Sequence, residues 1–474
     1  MNTIEARQHA GWFWAAVAVT VAGVALLVFW NVWQSGICLF STDDNIGAVV
    51  ESRRSLTSPF VGLWGVAPLM GAGGGIQTLS WSALTRWVLS PVAFVNTIHA
   101  LNLALGALML VTFLRRRGVS AAAATMGALA AFWVGSNLTL VYAGHVLKFD
   151  ILFLSALLLV AIDICSRHSR PVARSLLAGA VAGLMLIEQQ DVALFFGLFL
   201  GAYAVLRVFR AESSAVRRTS RALATFLPMG AVVLLLAGPS LLGSYATNVK
   251  GVASVSDENP QAKWEFCTQW SVPVDETIDL IAPGYTGWRS GEPEGPYWGR
   301  TGQSANWDQT RQGFMNFRLE SIYIGAIPVV LALFAVAAAL WGGRGGGWKV
   351  EGGSQKTANS GQRAEVGSQR SEVGGLRADV PVSPPPSTLH LPPSTILSDR
   401  RSEILFWGAA ALIALLLAYG KYFPLYALFY QLPLVNSIRN PNKFIQVFQL
   451  CLGILAAYGL DAALRCQKSV NSKQ

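Results

Sequence analysis

Asp43 and Asp44 stand side by side in "FSTDDNIGAVVESRRS", ten residues beyond a long apolar run. Two carboxylates there could take a proton from an attacking hydroxyl as a general base, or ligate a divalent cation bound to phosphate. A hydrated helix end would carry the same residues, so the pair alone leaves both readings open. His145 and Lys148, in "YAGHVLKFD", are three apart and share a helical face, where imidazole and ammonium could grip a phosphate together. Lys148 alone would also suit a side chain snorkelling to a membrane interface, and Asp150 in the same stretch needs a partner. Arg439 and Lys443 flank Pro441 in "SIRNPNKFIQVFQL", where a helix start adds unpaired N–H groups and a positive dipole end to the two cations. Glu188 opens the polar interruption "IEQQD". Tyr297 and Trp298 lie in a stretch dense in turn residues and aromatics, "ETIDLIAPGYTGWRSGEPEGPYWGRTGQSANWDQ". Rings among Gly, Asn, Gln and Asp suit the C–H patches and hydroxyls of a sugar, and equally suit an ordinary packed loop.

The elements that must position these residues are membrane helices. The chain is 53% hydrophobic and only 13% charged, with mean hydropathy +0.43, which excludes a soluble domain of 474 residues. Its apolar residues fall in blocks of about 18 to 24, the length that crosses roughly 30 Å of hydrocarbon as helix. The net charge of +10 sits in short clusters at block ends, which reads as membrane topology and not as a nucleic-acid surface. Five cysteines show no CxxC or other metal spacing, so they are read as unpaired thiols, without a disulfide framework or zinc site.

About ten spans are expected, near 11–33, 91–114, 119–141, 146–165, 174–187, 191–209, 222–242, 321–341, 403–420 and 442–463. At 174–209 the alternatives are one helix with a polar interruption or two short helices; two are preferred, because a mid-span carboxylate pair would need unusual burial. The first span is too long for a cleaved signal peptide and is expected to be an uncleaved anchor. Basic clusters after spans two, four, six and ten fall on one side only if the N-terminus is cytoplasmic. The 243–320 loop, with ten acidic and six basic residues, then lies outside, together with "STDDN", "YAGHVLK", "IEQQD" and "NSIRNPNK". The connection at 34–90, with Trp64, Trp81 and Trp87 among Gly and Pro, is expected to form interfacial helices. Residues 342–402 carry a seven-residue echo whose consistent apolar position is Val366, Val373 and Val380. One apolar position per unit makes no coiled-coil seam, so a disordered cytoplasmic linker is expected, followed by a C-terminal helical pair at 403–474.

Taken in order, these features resemble the YfhO-like integral membrane glycosyltransferases of the GT-C superfamily. The likeness rests on the acidic residues after span one, "YAGHVLK" before span four, "APGYTGW" and "YWG" before a span opening "YIGAIPVVLAL", and "PLVNSIRNPNKFIQVFQLCLGILAAYGLDAAL". The resemblance runs from about 40 to 463, and since such proteins are usually longer, a short or truncated member is expected. It implies an all-α, GT-C-like polytopic fold, a polyprenyl-phosphate sugar donor, and transfer to a cell-envelope polymer or lipid outside the cytoplasm. It also implies Asp43 or Asp44 as the catalytic carboxylate and His145, Lys148, Arg439 and Lys443 as donor-phosphate contacts. Glu188, Tyr297 and Trp298 join them as candidate substrate contacts, and a divalent cation, if one is used, would fall to Asp43 and Asp44.

The expected reaction is inverting sugar transfer. The competing classes are a transporter or flippase of lipid-linked sugars, which would line a midplane path with polar groups, and a non-catalytic scaffold of a surface-polymer assembly. Asp163 and Asp461 lie near cytoplasmic ends, leaving few midplane candidates.

Overall fold

Every apolar block forms helix in the computed structural model, but two do so in ways that hydropathy does not reveal. The structure describes residues 3–34, 36–39, 46–55, 64–65, 72–73, 80–167, 171–212, 214–245, 259–287, 296–301, 321–341, 393–432 and 435–471. In chain order the helices are α1 (Thr3–Phe29), α2 (Ile46–Ser55), α3 (Trp81–Val88), α4 (Pro91–Arg116), α5 (Ala121–Phe132), α6 (Gly135–Ala143), α7 (Val146–Arg167) and α8 (Pro171–Glu188). Then follow α9 (Gln190–Arg210), α10 (Ala215–Ser244), α11 (Pro260–Thr268), α12 (Ala326–Trp341), α13 (Pro393–Ala418), α14 (Pro424–Tyr430) and α15 (Phe444–Asn471). Strand structure among the described residues is confined to a two-residue antiparallel pairing, Trp64–Gly65 with Ala72–Gly73. Among the described residues eight helices are long and apolar enough to cross a membrane: α1, α4, α7, α8, α9, α10, α13 and α15. The chain is a polytopic α-helical membrane protein.

The expected span at 119–141 is broken. Its halves, α5 and α6, meet at 48°, and counted together they make a ninth span. A bend there frees backbone groups that must find partners inside the protein. Asn137 Nδ2 donates to the Phe132 carbonyl at 2.9 Å, and the Gly135 amide donates to the Tyr323 carbonyl at 3.2 Å. The expected span at 321–341 begins later, at Ala326, leaving a helix of 16 residues. Residues 321–325 are instead a connector strung to the neighbouring loop, with the Ile324 amide on the Leu280 carbonyl at 3.1 Å and Gly325 at φ 107°.

Between α8 and α9 the chain reverses at Gln189, as two spans require. Gly179 lies against Met229 and Gly183 against Leu236, so α8 runs alongside α10 in the same direction. The start of α9 also meets the end of α10, where Gln190 Nε2 donates to the Ser240 carbonyl and hydroxyl at 3.0 and 2.9 Å. Because α9 leads directly into α10, it must run opposite to both.

At the centre, α15 crosses α5 at small residues: a Cβ on Gly127 would come within 2.5 Å of the Ala457 methyl, and one on Gly453 within 2.5 Å of the Ala131 methyl. Close backbone approach of this kind is how membrane helices gain packing without a hydrophobic driving force.

Basic residues of the clusters after spans two, six and ten converge on one end of the bundle, the arginine end, where α7 also finishes. Asp163 takes Arg116 Nε at 2.8 Å, Arg221 reaches the Ser166 carbonyl at 2.8 Å, and Arg465 reaches the Gly118 carbonyl at 2.9 Å. Asp461 accepts from the Ser120 amide at 2.7 Å, from Arg465 at 2.8 Å and from Arg400. Arg400 and Glu403 belong to a helix that already starts at Pro393, so the expected linker boundary at 402 lies too far along the chain. The rest of that linker, 342–392, lies outside the described residues.

Candidate functional site

The opposite end collects the loops. The Val272 amide donates to the Ala418 carbonyl at 3.0 Å, the Asn440 amide to the Cys267 carbonyl at 3.0 Å and the Asn442 amide to the Trp270 carbonyl at 3.2 Å. These bonds lay 267–272 across the end of α13 and the approach to α15. Asn440 takes a left-handed conformation, φ 72°, and Pro441–Lys443 forms a 3-10 turn that leads into α15 at Phe444. Proline's fixed φ suits it to such a first turn, as the sequence predicts.

Lys443 is buried and forms an ion pair with Asp191, in the first turn of α9. The other Asp191 oxygen accepts from the Val192 amide at 2.8 Å, and the Lys148 ammonium also acts on the carboxylate through its charge. The Asp191 side chain keeps 28% of its surface exposed, against 9% for Lys443, so the pair is approached from the carboxylate side. Arg439 is exposed, with its guanidinium 4.7 Å from the centre of the Phe266 ring. The two cations of "SIRNPNK" therefore meet different partners. His145 falls just before α7, after Gly144 has closed α6 in a left-handed conformation at φ 78°, so it precedes the helix on which Lys148 sits.

Glu188 is buried at the α8–α9 reversal. Its two oxygens accept from the Ser82 amide at 2.9 Å and the Ser82 hydroxyl at 2.6 Å. A carboxylate on the first amides of a helix is favoured by the helix dipole, so Glu188 docks α3 onto the bundle. Trp81 anchors the same helix from the other side, donating to Asn102 Oδ1 at 2.9 Å. Asn102 in turn donates to Asp150 at 2.6 Å, which supplies the partner that Asp150 requires. Trp87 and Val88 remain exposed at the far end of α3, consistent in character with an interfacial helix.

Tyr297 and Trp298 separate into different environments. The Tyr297 hydroxyl donates to Glu276 at 2.8 Å and accepts from the Thr301 amide at 2.9 Å; burial, reinforced by Glu276, pushes its phenol well above the ordinary tyrosine range. Glu276 also accepts from the Thr301 hydroxyl at 2.7 Å and from the Arg300 amide. One turn on, Asp279 accepts from the Thr286 amide and hydroxyl. These groups line a concavity with Ser321 and Tyr323. Trp298 does not line it and is exposed, edge-on to exposed Tyr285 with centroids 5.6 Å apart. Its amide is pinned to the Thr286 carbonyl at 3.0 Å.

Asp43 and Asp44 lie outside the described residues. Among the described residues, no group of three or more His, Cys, Asp or Glu side chains is placed to hold a metal ion. The residues that sequence reading passed over are Asp191, Glu276 and Asp279. Asp191 stood in "IEQQD", and its distance in sequence from Lys443 hid the pairing; Glu276 and Asp279 stood in "ETIDL" beside Asp275, where the sequence does not distinguish buried carboxylates from a solvated acidic turn. No family model, curated protein or solved structure matches this chain.

Proposed function

We propose that the chain is a membrane glycosyltransferase that moves a sugar from a polyprenyl-phosphate donor to an acceptor outside the cytoplasm, with the loop end as the extracytoplasmic end. The observation that carries this reading is the Lys443–Asp191 ion pair where the helices open into the loops, with the Lys148 charge acting on the same carboxylate, on the same end as the Tyr285–Trp298 pair. A lipid phosphate travelling in the membrane plane would reach cations at helix-end depth, and its sugar would project toward aromatic rings and hydroxyls. The acceptor hydroxyl attacks the anomeric carbon as its proton passes to Asp43 or Asp44. The phosphate leaves with the bonding electron pair, its charge met by cations, and configuration inverts. The test is transfer of labelled sugar from a polyprenyl-phosphate donor by membranes carrying Asp43→Asn, Asp44→Asn and the double variant. Wild-type rates in all three would remove the carboxylate role.

A second reading, a transporter of lipid-linked sugars, is favoured by one observation. The α5–α6 break brings Ser136 into contact with Gln449 inside the bundle, and both polar atoms of buried Gln446 lack a hydrogen-bond partner among the described residues. Broken helices with buried polar groups are where transporters bind substrate. Reconstituted vesicles that translocate a lipid-linked sugar, with no transfer to any acceptor, would favour that reading.

A further inference from the structure

The geometry points to Asp191 as an internal counter-anion that occupies the phosphate seat of Lys443, under the charge of Lys148, so that a phosphate monoester binds by displacing the Asp191 carboxylate from the Lys443 ammonium. This rests on the proposed phosphate-binding role of these lysines and adds to it a resident competitor. Three observations support the exchange. Lys443 is nearly enclosed, and a buried ammonium keeps its charge at low cost only while an anion faces it. The anion facing it is the more exposed partner, so it can leave into water, while the lysine cannot. Asp191 also has a second holding point, the Val192 amide in the first turn of α9, so Lys443 is not its sole hydrogen-bond donor. Swapping carboxylate for phosphate leaves the lysine paired throughout. The step is a change of ion-pair partner, with no covalent bond made or broken.

A resident anion of this kind lowers affinity for the incoming one and sets a threshold against weakly binding anions. Asp191 would then be a regulatory residue whose removal strengthens binding, the opposite of what a substrate-holding or catalytic carboxylate does.

The full-length protein in lipid nanodiscs, titrated with farnesyl phosphate, inorganic phosphate and farnesol, tests this. Asp191→Asn is expected to bind farnesyl phosphate about ten-fold more tightly than wild type, and Lys443→Gln about ten-fold more weakly, with farnesol unaffected. A parallel gain for inorganic phosphate would place the recognition in the phosphate group alone; a gain confined to farnesyl phosphate would add the lipid chain. Equal or weaker binding by Asp191→Asn, with wild type binding normally and Lys443→Gln impaired, overturns the exchange while leaving the phosphate site standing. Loss of any effect from Lys443→Gln removes the phosphate reading and the exchange together. Because Asp191→Asn leaves a buried lysine unpaired, a measurement on unaltered protein accompanies it. Carboxylate footprinting of wild type by carbodiimide coupling and mass spectrometry should show several-fold greater modification of Asp191 at saturating farnesyl phosphate, and unchanged or reduced modification overturns the proposal.

Discussion

Arg117, which caps the C-terminal end of α4, grips Glu403 of α13 with two nitrogens, Nε at 2.9 Å on one oxygen and Nη2 at 2.7 Å on the other. The same carboxylate accepts the hydroxyls of Tyr203 at 2.9 Å and Tyr458 at 2.7 Å, and Arg207 lies 3.2 Å away. One side chain thus ties α4, α9, α13 and α15 together at the arginine end. Such a hub is strongly coupled, because removing the anion takes the shared carboxylate from two enclosed guanidinium groups at once, of which Arg117 keeps Asp163 at 3.5 Å.

Glu403→Ala should therefore destabilise the fold by about 3–5 kcal/mol, the usual result of breaking a buried ion pair from one side. The check is the thermal unfolding midpoint in detergent. The Arg117→Met/Glu403→Leu double variant should recover part of the loss, and a double variant as unstable as Glu403→Ala would argue against a charge-based hub.

The crossing of α5 and α15 leaves no room for a side chain at Gly453, whose added Cβ would lie 2.6 Å from the Gly127 carbonyl oxygen. Gly453→Ala should cost about 1–3 kcal/mol through overpacking, read as a lower unfolding midpoint. An unchanged midpoint would mean that the helices can part there freely.

Two native cysteines report orientation. Cys38 is exposed beside Asn96 near the start of α4, and Cys466 is exposed near the end of α15 at the arginine end. If the N-terminus is cytoplasmic, an impermeant maleimide added to intact cells should modify Cys38, and Cys466 only after permeabilisation. The reverse pattern, mapped by mass spectrometry, would invert the bundle and move the proposed site to the cytoplasm.

The helices were legible because lipid imposes one simple pattern, a long apolar block with cations at one end. The α5–α6 break was not, since Gly135, Ser136 and Asn137 sit in an otherwise apolar run and barely lower its hydropathy. Pro441 marked the entry to α15 correctly, because its constraint is local. The partners of Lys443 and Glu403 were invisible for the opposite reason. Asp191 and Arg117 are distant in sequence, and a single sequence carries no record of which carboxylate a lysine meets. Glu188 fell between these cases: its position at a chain reversal was readable, whereas its occupation by Ser82 depends on how α3 docks.

Tyr297 holds the loop concavity through two hydrogen bonds, so Tyr297→Phe should speed amide exchange at Thr301 by about ten-fold, equivalent to roughly 1–1.5 kcal/mol. Its phenol is raised above the unfolded value of about 10. The contribution is therefore complete below about pH 10 and is lost as pH rises through the folded value. After correction for intrinsic exchange, wild type should lose protection at Thr301 on the alkaline side. In Tyr297→Phe the protection should vary less with pH, and an identical alkaline loss would assign it to another group.

Arg439 and Lys443 should separate stability from donor use. Arg439 is exposed over Phe266, a cation–π contact worth about 0.5–1 kcal/mol at such sites, so Arg439→Ala should barely move the unfolding midpoint. Lys443→Ala should lower it clearly, because the ion pair that joins the approach to α15 to α9 is broken. Donor saturation should respond differently. If Arg439 contacts the donor phosphate, Arg439→Ala raises the donor KM about ten-fold, as loss of one charge-assisted contact of roughly 1.5–3 kcal/mol requires. Arg439→Lys should fall between Arg439→Ala and wild type, since lysine keeps the charge but lacks the planar fork. Saturation kinetics and unfolding midpoints on the same preparations decide it: an Arg439→Ala protein with wild-type donor saturation would confine Arg439 to packing on Phe266, and leave Lys443 and Lys148 as the cations of the phosphate site.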